Sequence, residues 1–419
     1  MLKRVVVTGL GCVSPVGNDV ASYWAALMNG EHGFANIIKF DAKDFKVKIA
    51  AEVKNFDPQK YIERSEIRKT DMYAQYAIAA AAQAMDDSGI AGTVKPERLG
   101  VYIGSGIGGM NTFISETEKL LHRGPHKVSP YFIPMMIANI GAALVCMRYN
   151  AKGPCLPIVS ACATSTHSIG EAYRAIKYGH ADAVIAGGAE ACVNPLAVAG
   201  FTNCLALSTK NDPELSSIPF DARRDGFVIG EGAGVLVLEE YERAASRGAH
   251  IYAEALGYGN TCDAYHVTAP HPAAEGAIQM IRLALEEAGL PPTGERLYIN
   301  PHGTSTSLND KTETLAIKSV FGENAFNIPI SSTKSMIGHT LGAAGALEAL
   351  ASIKTLQTGI AHQTRGWSQR DPECDLDYVP NASRRVEVDF ALSMSLGFGG
   401  HNAGIVLARP GYALPRQSP

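Results

Sequence analysis

A chain of 419 residues, 46% hydrophobic and 19% charged, has the composition of a soluble globular protein, too long for one small core and sized for about two to three domain-like units. A net charge of −4 supplies no global attraction to nucleic acid or to an anionic membrane, and no segment approaches the ~18 consecutive apolar residues of a membrane span. Eight cysteines without a Cys-x-x-Cys pair read as reduced thiols in a reducing cytoplasm, with no disulfide framework.

The chain opens on Met1-Leu2-Lys3-Arg4 and then Val5 to Val7; Thr8-Gly9 breaks this apolar run too early for a signal peptide. Short apolar runs then alternate with longer helical patterns. Strands are predicted over 5–8, 99–103, 157–161, 183–186 and 235–238, with helices over 71–88 and 170–178. Beyond residue 250 the order recurs: a strand over 251–256, a helix over 274–288, a strand over 297–300, and helices over 312–320 and 348–357. Alternating β and α elements imply a buried sheet with helices on its faces. After Arg409 the sequence loses periodicity, and residues 412–419 read as a loose tail.

The recurrence extends to individual residues. Ala77-Ile78 answers to Ala277-Ile278; Ala84, Gly89 and Ile90 to Ala284, Gly289 and Leu290; Glu97-Arg98-Leu99 to Glu295-Arg296-Leu297; Gly9-Leu10-Gly11 to Gly257-Tyr258-Gly259. The boundary falls near residue 250, giving a half over 1–250 and a half over 251–411. Two halves of one topology can pack around a pseudo-twofold and bring residues distant in sequence into one cavity.

Cys162 ends one of the apolar runs and opens a small-residue helix pattern. A thiol at a strand-to-helix turn sits at the positive end of the helix dipole, which favours thiolate. A second turn of this kind surrounds His339. Counted from Cys162 and from His339, Glu171 and Glu348 each fall nine residues on, and Lys177 and Lys354 fifteen. The duplication thus carries a nucleophile in one copy and an imidazole in the other.

Four stretches carry the chemistry: V-S-A-C-A-T-S-T around Cys162, N-P-H-G-T-S-T around His302, S-S-T-K-S-M-I-G-H ending at His339, and S-L-G-F-G-G-H-N around Phe398. With P-F-D-A-R-R-D-G-F-V-I-G-E-G-A-G from Pro219 and G-S-G-I-G-G from Gly104, they resemble the β-ketoacyl-[acyl-carrier-protein] synthases, the elongating Cys-His-His branch of the thiolase superfamily. The synthase II subgroup fits best, and the resemblance spans residues 3 to 409.

The resemblance implies an α/β, thiolase-like fold of two duplicated βαβαβαββ halves in a layered αβαβα core. It implies Cys162 as nucleophile, His302 and His339 holding a malonyl thioester carbonyl, Lys334 and Glu348 as a supporting charged pair, and the Phe398 N–H as an oxyanion donor. It implies that Thr304 and Thr306 bind a phosphopantetheine arm, that Ile107, Phe132, Phe201 and Leu341 line an acyl slot, with Ile107 and Phe132 reaching it across a homodimer interface, and that Gly399 helps the terminal turn admit the chain. The arm belongs to the substrate's acyl carrier protein, so no resident cofactor and no metal are expected. Arg64, Arg68, Lys69 and Lys127 are candidates for a basic patch that docks this acidic carrier.

The residues support that chemistry in their own right. Thiol–thioester exchange is close to thermoneutral and leaves a reactive acyl-Cys. A thioester α-carbon is weakly acidic, and decarboxylation of a malonyl group yields the carbanion without a strong base. Neutral imidazoles can then donate to the enolate oxygen, and the Lys334 charge disfavours imidazolium. Rival readings are a polyketide ketosynthase, which shares these residues, and a zinc hydrolase using Cys162, His302 and His339, whose spacing is no compact metal motif. A thiolase places a second cysteine where Phe398 stands, and a non-catalytic partner subunit lacks the nucleophile. The remaining cysteines and histidines take ordinary structural readings, and Gly104 to Gly109 lacks the Gly-Lys-Ser/Thr of a phosphate loop.

Overall fold

The computed structural model describes residues 2–412; of the predicted loose tail, 413–419 lie outside the described residues. With core elements numbered in chain order, the first half runs β1 (Val5–Val13), α1 (Met72–Ser88), β2 (Leu99–Gly104), α2 (Ile140–Tyr149), α3 (Thr164–Lys177), β3 (Ala183–Glu190) and β4 (Gly232–Glu240). The second runs β5 (Ala253–Cys262), α4 (Glu275–Ala288), β6 (Leu297–Asn300), α5 (Ser307–Phe321), α6 (Ala344–Thr358), β7 (Phe390–Gly397) and β8 (His401–Ala408).

The strands form one eight-stranded sheet in the order β2-β3-β4-β1-β5-β8-β7-β6. Each half contributes the same arrangement. Leu99 pairs with Ala183 in parallel as Leu297 does with Phe390, and Glu190 pairs with Gly232 antiparallel as Gly397 does with His401. Isolated parallel bridges, Val101 to Cys155 and Ile299 to Ile330, add a fifth strand position to each. The halves join where β1 and β5 pair antiparallel, Val5 to Ala255 and Val7 to Ala253.

Strand alternation builds the layers. Leu236, Leu238, Ile405 and Leu407 face a central layer shared with α3 and α6, whereas Val235 and Val237 face α1 and α2 and Val406 faces α4 and α5. Strands covered on both faces are dominated by apolar side chains, and so are these. The outcome is the expected duplicated αβαβα frame. Its signature is the helix-on-glycine contact: a Cβ on Gly9 or Gly11 would strike the carbonyls of Ala84 and Ala80, and one on Gly257 or Gly259 those of Ala284 and Met280, all at about 2 Å.

Two local readings are corrected. Residues 157–161 are not a strand: pairing stops around Cys155, flanked by Pro154 and Pro157, which have no N–H for a ladder. The matched turns are also three residues out of the expected register. The one-turn 3₁₀ segment Ala161–Ala163 precedes α3 as Leu341–Ala343 precedes α6, with left-handed φ at Ala161 (51°) and Leu341 (49°). Cys162 therefore corresponds to Gly342, and His339 lies three residues earlier. A three-residue slip on a helix of 3.6 residues per turn nearly preserves the face, so the false register looks self-consistent.

Candidate active site

Cys162 stands in the 3₁₀ turn that enters α3 and is buried. His302 lies two residues past β6; the carboxylate of Glu313 on α5 accepts its main-chain N–H and that of Gly303. His339 is zipped into the chain beside it, donating from its N–H to Val228 O at 2.8 Å and accepting from Gly230 N–H at 2.8 Å. Phe398 directly follows β7, and Gly399 (φ 87°) and Gly400 (φ 77°) turn the chain in the left-handed region.

These elements converge. The ligand-capable atoms of Cys162, His302 and His339 all lie within 4.8 Å of one another, and the two imidazole rings stand nearly perpendicular with centroids 5.2 Å apart. The Lys334 Nζ donates to His302 O at 2.7 Å, lies 3.4 Å from His302 Nδ1 and forms a fully buried ion pair with Glu348. The Leu341 N–H donates to His339 Nδ1 at 3.3 Å. With Nδ1 of each ring facing a donor, each Nε2 carries the proton. The His339 Nε2 is buried and has no partner among the described residues; it is a donor held ready.

Burial, reinforced by the Lys334 charge, holds both imidazoles well below the usual histidine range, and for His302 the neighbouring His339 adds to the effect. They are neutral. Cys162 departs from expectation: burial pushes its thiol up to about 11, although the Lys334 charge and the Phe398 N–H pull the other way. Removal from water outweighs the helix terminus, so the resting nucleophile is a thiol.

A cavity of about 270 Å³ opens over the cluster, lined by Cys162, His302, His339 and Phe398, with Thr304, Thr306 and Phe201 also on its wall. The Thr304 and Thr306 hydroxyls lie 3.0 Å apart. Leu341 is buried in the apolar cluster beside Cys162, and Gly399 sits between the lining residues Phe398 and Gly400. Ile107, 41% exposed, and half-buried Phe132 do not line the cavity within a single chain. Arg64, Arg68 and Lys127 are exposed, whereas Lys69 pairs with Glu66. Cys162, His302 and His339 have the spacing to ligate an ion, but the Lys334 ammonium 3.4 Å from His302 Nδ1 would repel a dication held there.

Sequence reading passed over Glu313, Asp263 and Asn402. Glu313 anchors the His302 main chain; Asp263 and Asn402 bond each other at 2.8 Å on the cavity wall. A carboxylate eleven residues after His302, on a helix facing the sheet, was the available signal for Glu313.

A duplicated αβαβα frame that gathers one cysteine and two neutral histidines in a cavity where its halves meet defines a condensing enzyme of the thiolase-like class. Residues 2–244 match the family described as Beta-ketoacyl synthase, N-terminal domain, and residues 252–368 match Beta-ketoacyl synthase, C-terminal domain. The chain belongs to the beta-ketoacyl synthase family. It is 47% identical to the 3-oxoacyl-[acyl-carrier-protein] synthase 2 of Synechocystis sp. over 97% of this chain and 98% of that relative. Among solved structures, a beta-ketoacyl synthase from Burkholderia phymatum superposes with a TM-score of 0.90 at 37% identity, over 97% of this chain and 99% of that one. A type II PKS ketosynthase in complex with its acyl-carrier protein superposes with a TM-score of 0.89 at 35% identity, over 98% and 100%.

Proposed function

We propose that the protein condenses an acyl-[acyl-carrier-protein] with malonyl-[acyl-carrier-protein], giving 3-oxoacyl-[acyl-carrier-protein], carbon dioxide and free carrier protein, in fatty acid elongation. The observation that carries this is the convergence of one thiol and two neutral N–H donors in a single buried site. Identity of 47% to an elongating synthase against 35% to a polyketide ketosynthase supports elongation over the polyketide pathway.

In the first step the Cys162 sulfur attacks the acyl thioester. The thiol proton leaves with the departing carrier thiol, so the exchange needs no net base. The tetrahedral oxyanion is held by the N–H groups of Cys162 and Phe398. The fit is tight behind them: a Cβ on Gly397 would lie 3.3 Å from the Cys162 nitrogen.

In the second step the malonyl thioester oxygen accepts from the Nε2–H of His302 and His339. Carbon dioxide leaves, its electron pair stays as the enolate, and the enolate carbon attacks the acyl-Cys carbonyl. Collapse expels the Cys162 sulfur, which takes one proton from solvent. Neutral imidazoles suit this task because they stabilise the enolate oxygen without surrendering a proton to its carbon. Lys334, paired with Glu348, keeps His302 in that state.

Thr304 and Thr306, on the cavity wall, receive the phosphopantetheine arm, which the carrier protein supplies as part of the substrate. Phe201, Leu341 and the Phe398–Gly399 turn shape the acyl slot, completed in a homodimer by Ile107 and Phe132. Exposed apolar Ile107, Ile133 (54%) and Leu121 (74%) support such pairing. Exposed Arg64, Arg68 and Lys127, with Lys69, form the carrier-docking patch. The chain divides into halves over 1–250 and 251–411. No helix among the described residues is long and apolar enough to cross a membrane, and the eight cysteines form no disulfide, which supports a cytoplasmic setting. Intact-mass analysis after mixing with acyl-carrier thioesters of graded length, then with malonyl-carrier, tests the reading. An acyl adduct on Cys162 followed by 3-oxoacyl product is expected; the absence of both would overturn it.

A further inference from the structure

The duplication places a second copy of the Cys162 turn at Leu341–Ala343, and that copy is filled by an acidic side chain of the protein's own. Glu190 ends β3 at the position that Gly397 occupies at the end of β7. At Gly397 there is no side chain, and Cys162 lines the cavity. At Glu190 a carboxylate reaches into the equivalent turn. Its Oε2 accepts from the Gly342 N–H at 3.0 Å and the Gly106 N–H at 2.9 Å. Its Oε1 accepts from the Ser105 hydroxyl at 2.8 Å, the Ile107 N–H at 3.3 Å and the Cys192 thiol at 3.5 Å. The side chain is fully buried and has no cationic partner among the described residues. Burial pushes its pKa up, opposed by these hydrogen bonds, and backbone donors face both oxygens.

This carboxylate ties together two segments the reaction uses. One is loop 105–107. The other is the turn whose Leu341 N–H fixes the His339 ring. We propose that Glu190 is a positioning residue for the decarboxylation step: it occupies the closed duplicate of the oxyanion site, locks the Leu341–Ala343 turn to loop 105–107, and thereby holds the His339 Nε2 on the enolate oxygen. The proposal rests on the condensing reaction described above. It separates decarboxylation from acylation by short acyl groups, because the Cys162 turn receives no bond from Glu190 and a short chain does not extend to Ile107.

The test is Glu190→Gln. A glutamine keeps the shape but turns an NH₂ toward backbone N–H groups at one oxygen position. Malonyl-carrier decarboxylation is expected to fall about tenfold or more through displacement of the ring, while the rate of Cys162 acylation by an acetyl-carrier, whose chain is too short to reach Ile107, followed by intact mass, changes less than twofold. In a His339→Ala background the same substitution should produce no further loss of decarboxylation, a masking that a merely structural role would not show. Should Glu190→Gln fail to fold, Ser105→Ala removes one bond to the same carboxylate and should lower decarboxylation selectively, by a smaller factor. Equal loss in both half-reactions, no loss in either, or additivity with His339→Ala overturns the proposal. If the unsubstituted protein neither acylates Cys162 nor decarboxylates malonyl-carrier, the condensing reading itself fails, a result distinct from the failure of Glu190.

Discussion

The Lys334 ammonium donates to the main-chain carbonyl of His302 at 2.7 Å and stands 3.4 Å from the Nδ1 of the same residue. One buried cation therefore fixes the His302 backbone, directs its tautomer and discourages its protonation, while Glu348 balances the charge.

Removing one member of that pair strands the other in a site closed to water. Lys334→Met should lower the unfolding free energy by about 3–5 kcal/mol, the usual consequence of an uncompensated buried charge. Lys334→Met combined with Glu348→Leu should recover most of that stability without recovering decarboxylation. Chemical denaturation checks the first statement and carbon dioxide release the second. A stable Lys334→Met single variant would mean that Glu348 carries no charge in the folded protein.

Gly397→Ala tests the geometry of the oxyanion site. The added Cβ would meet Ser160 O at 2.8 Å, Ala163 N at 3.2 Å and Cys162 N at 3.3 Å, so the turn holding the nucleophile must shift. Acylation of Cys162 should slow by about a hundredfold, with malonyl decarboxylation much less affected. Unchanged acylation kinetics would show that the Cys162 amide does not hold the oxyanion.

The sequence showed the reacting groups more clearly than the forces between them. The Gly9/Gly11 and Gly257/Gly259 pairs marked the duplication because only glycine lets a helix carbonyl approach so closely. The register of the second turn was misread because a slip of three residues keeps a helix face. The ionisation of Cys162 was misread because sequence displays the helix start but not the burial that overrides it. Glu190 escaped notice because its role depends on the pseudo-twofold: it sits at the end of an ordinary apolar strand, and only the folded chain sets it against Gly342.

The thiol pushed up to about 11 makes a pH prediction. Below that value the thiolate fraction falls tenfold per unit, to about 10⁻⁴ at pH 7. Alkylation of Cys162 by iodoacetamide, followed on its own peptide by mass spectrometry, should therefore climb about tenfold per unit from pH 7 to 10 without levelling. Decarboxylation should behave differently. Its imidazoles are held well below the ordinary histidine range, so they stay neutral through the ordinary histidine transition and the rate should show no inflection there. A plateau of alkylation before pH 9, or a decarboxylation inflection near 6.5, would contradict the electrostatics of the site.

The sharpest division of labour lies between sulfur and imidazole. Cys162→Ala removes the acyl acceptor but leaves both Nε2–H donors, and the Leu341 N–H that orients His339 is untouched. Condensation should vanish while malonyl-carrier still loses carbon dioxide, ending as acetyl-carrier after the enolate takes a proton from water. His339→Ala should do the reverse: the acyl adduct on Cys162 forms at near the normal rate, and decarboxylation falls about 10²–10³-fold with the loss of one oxyanion donor. The pair is more informative than either variant alone, since a collapsed cavity would abolish both half-reactions in both proteins. If His339→Ala also blocked acylation, the imidazole would be taking the thiol proton, and Cys162 would have to be activated by a base in place of simple exchange.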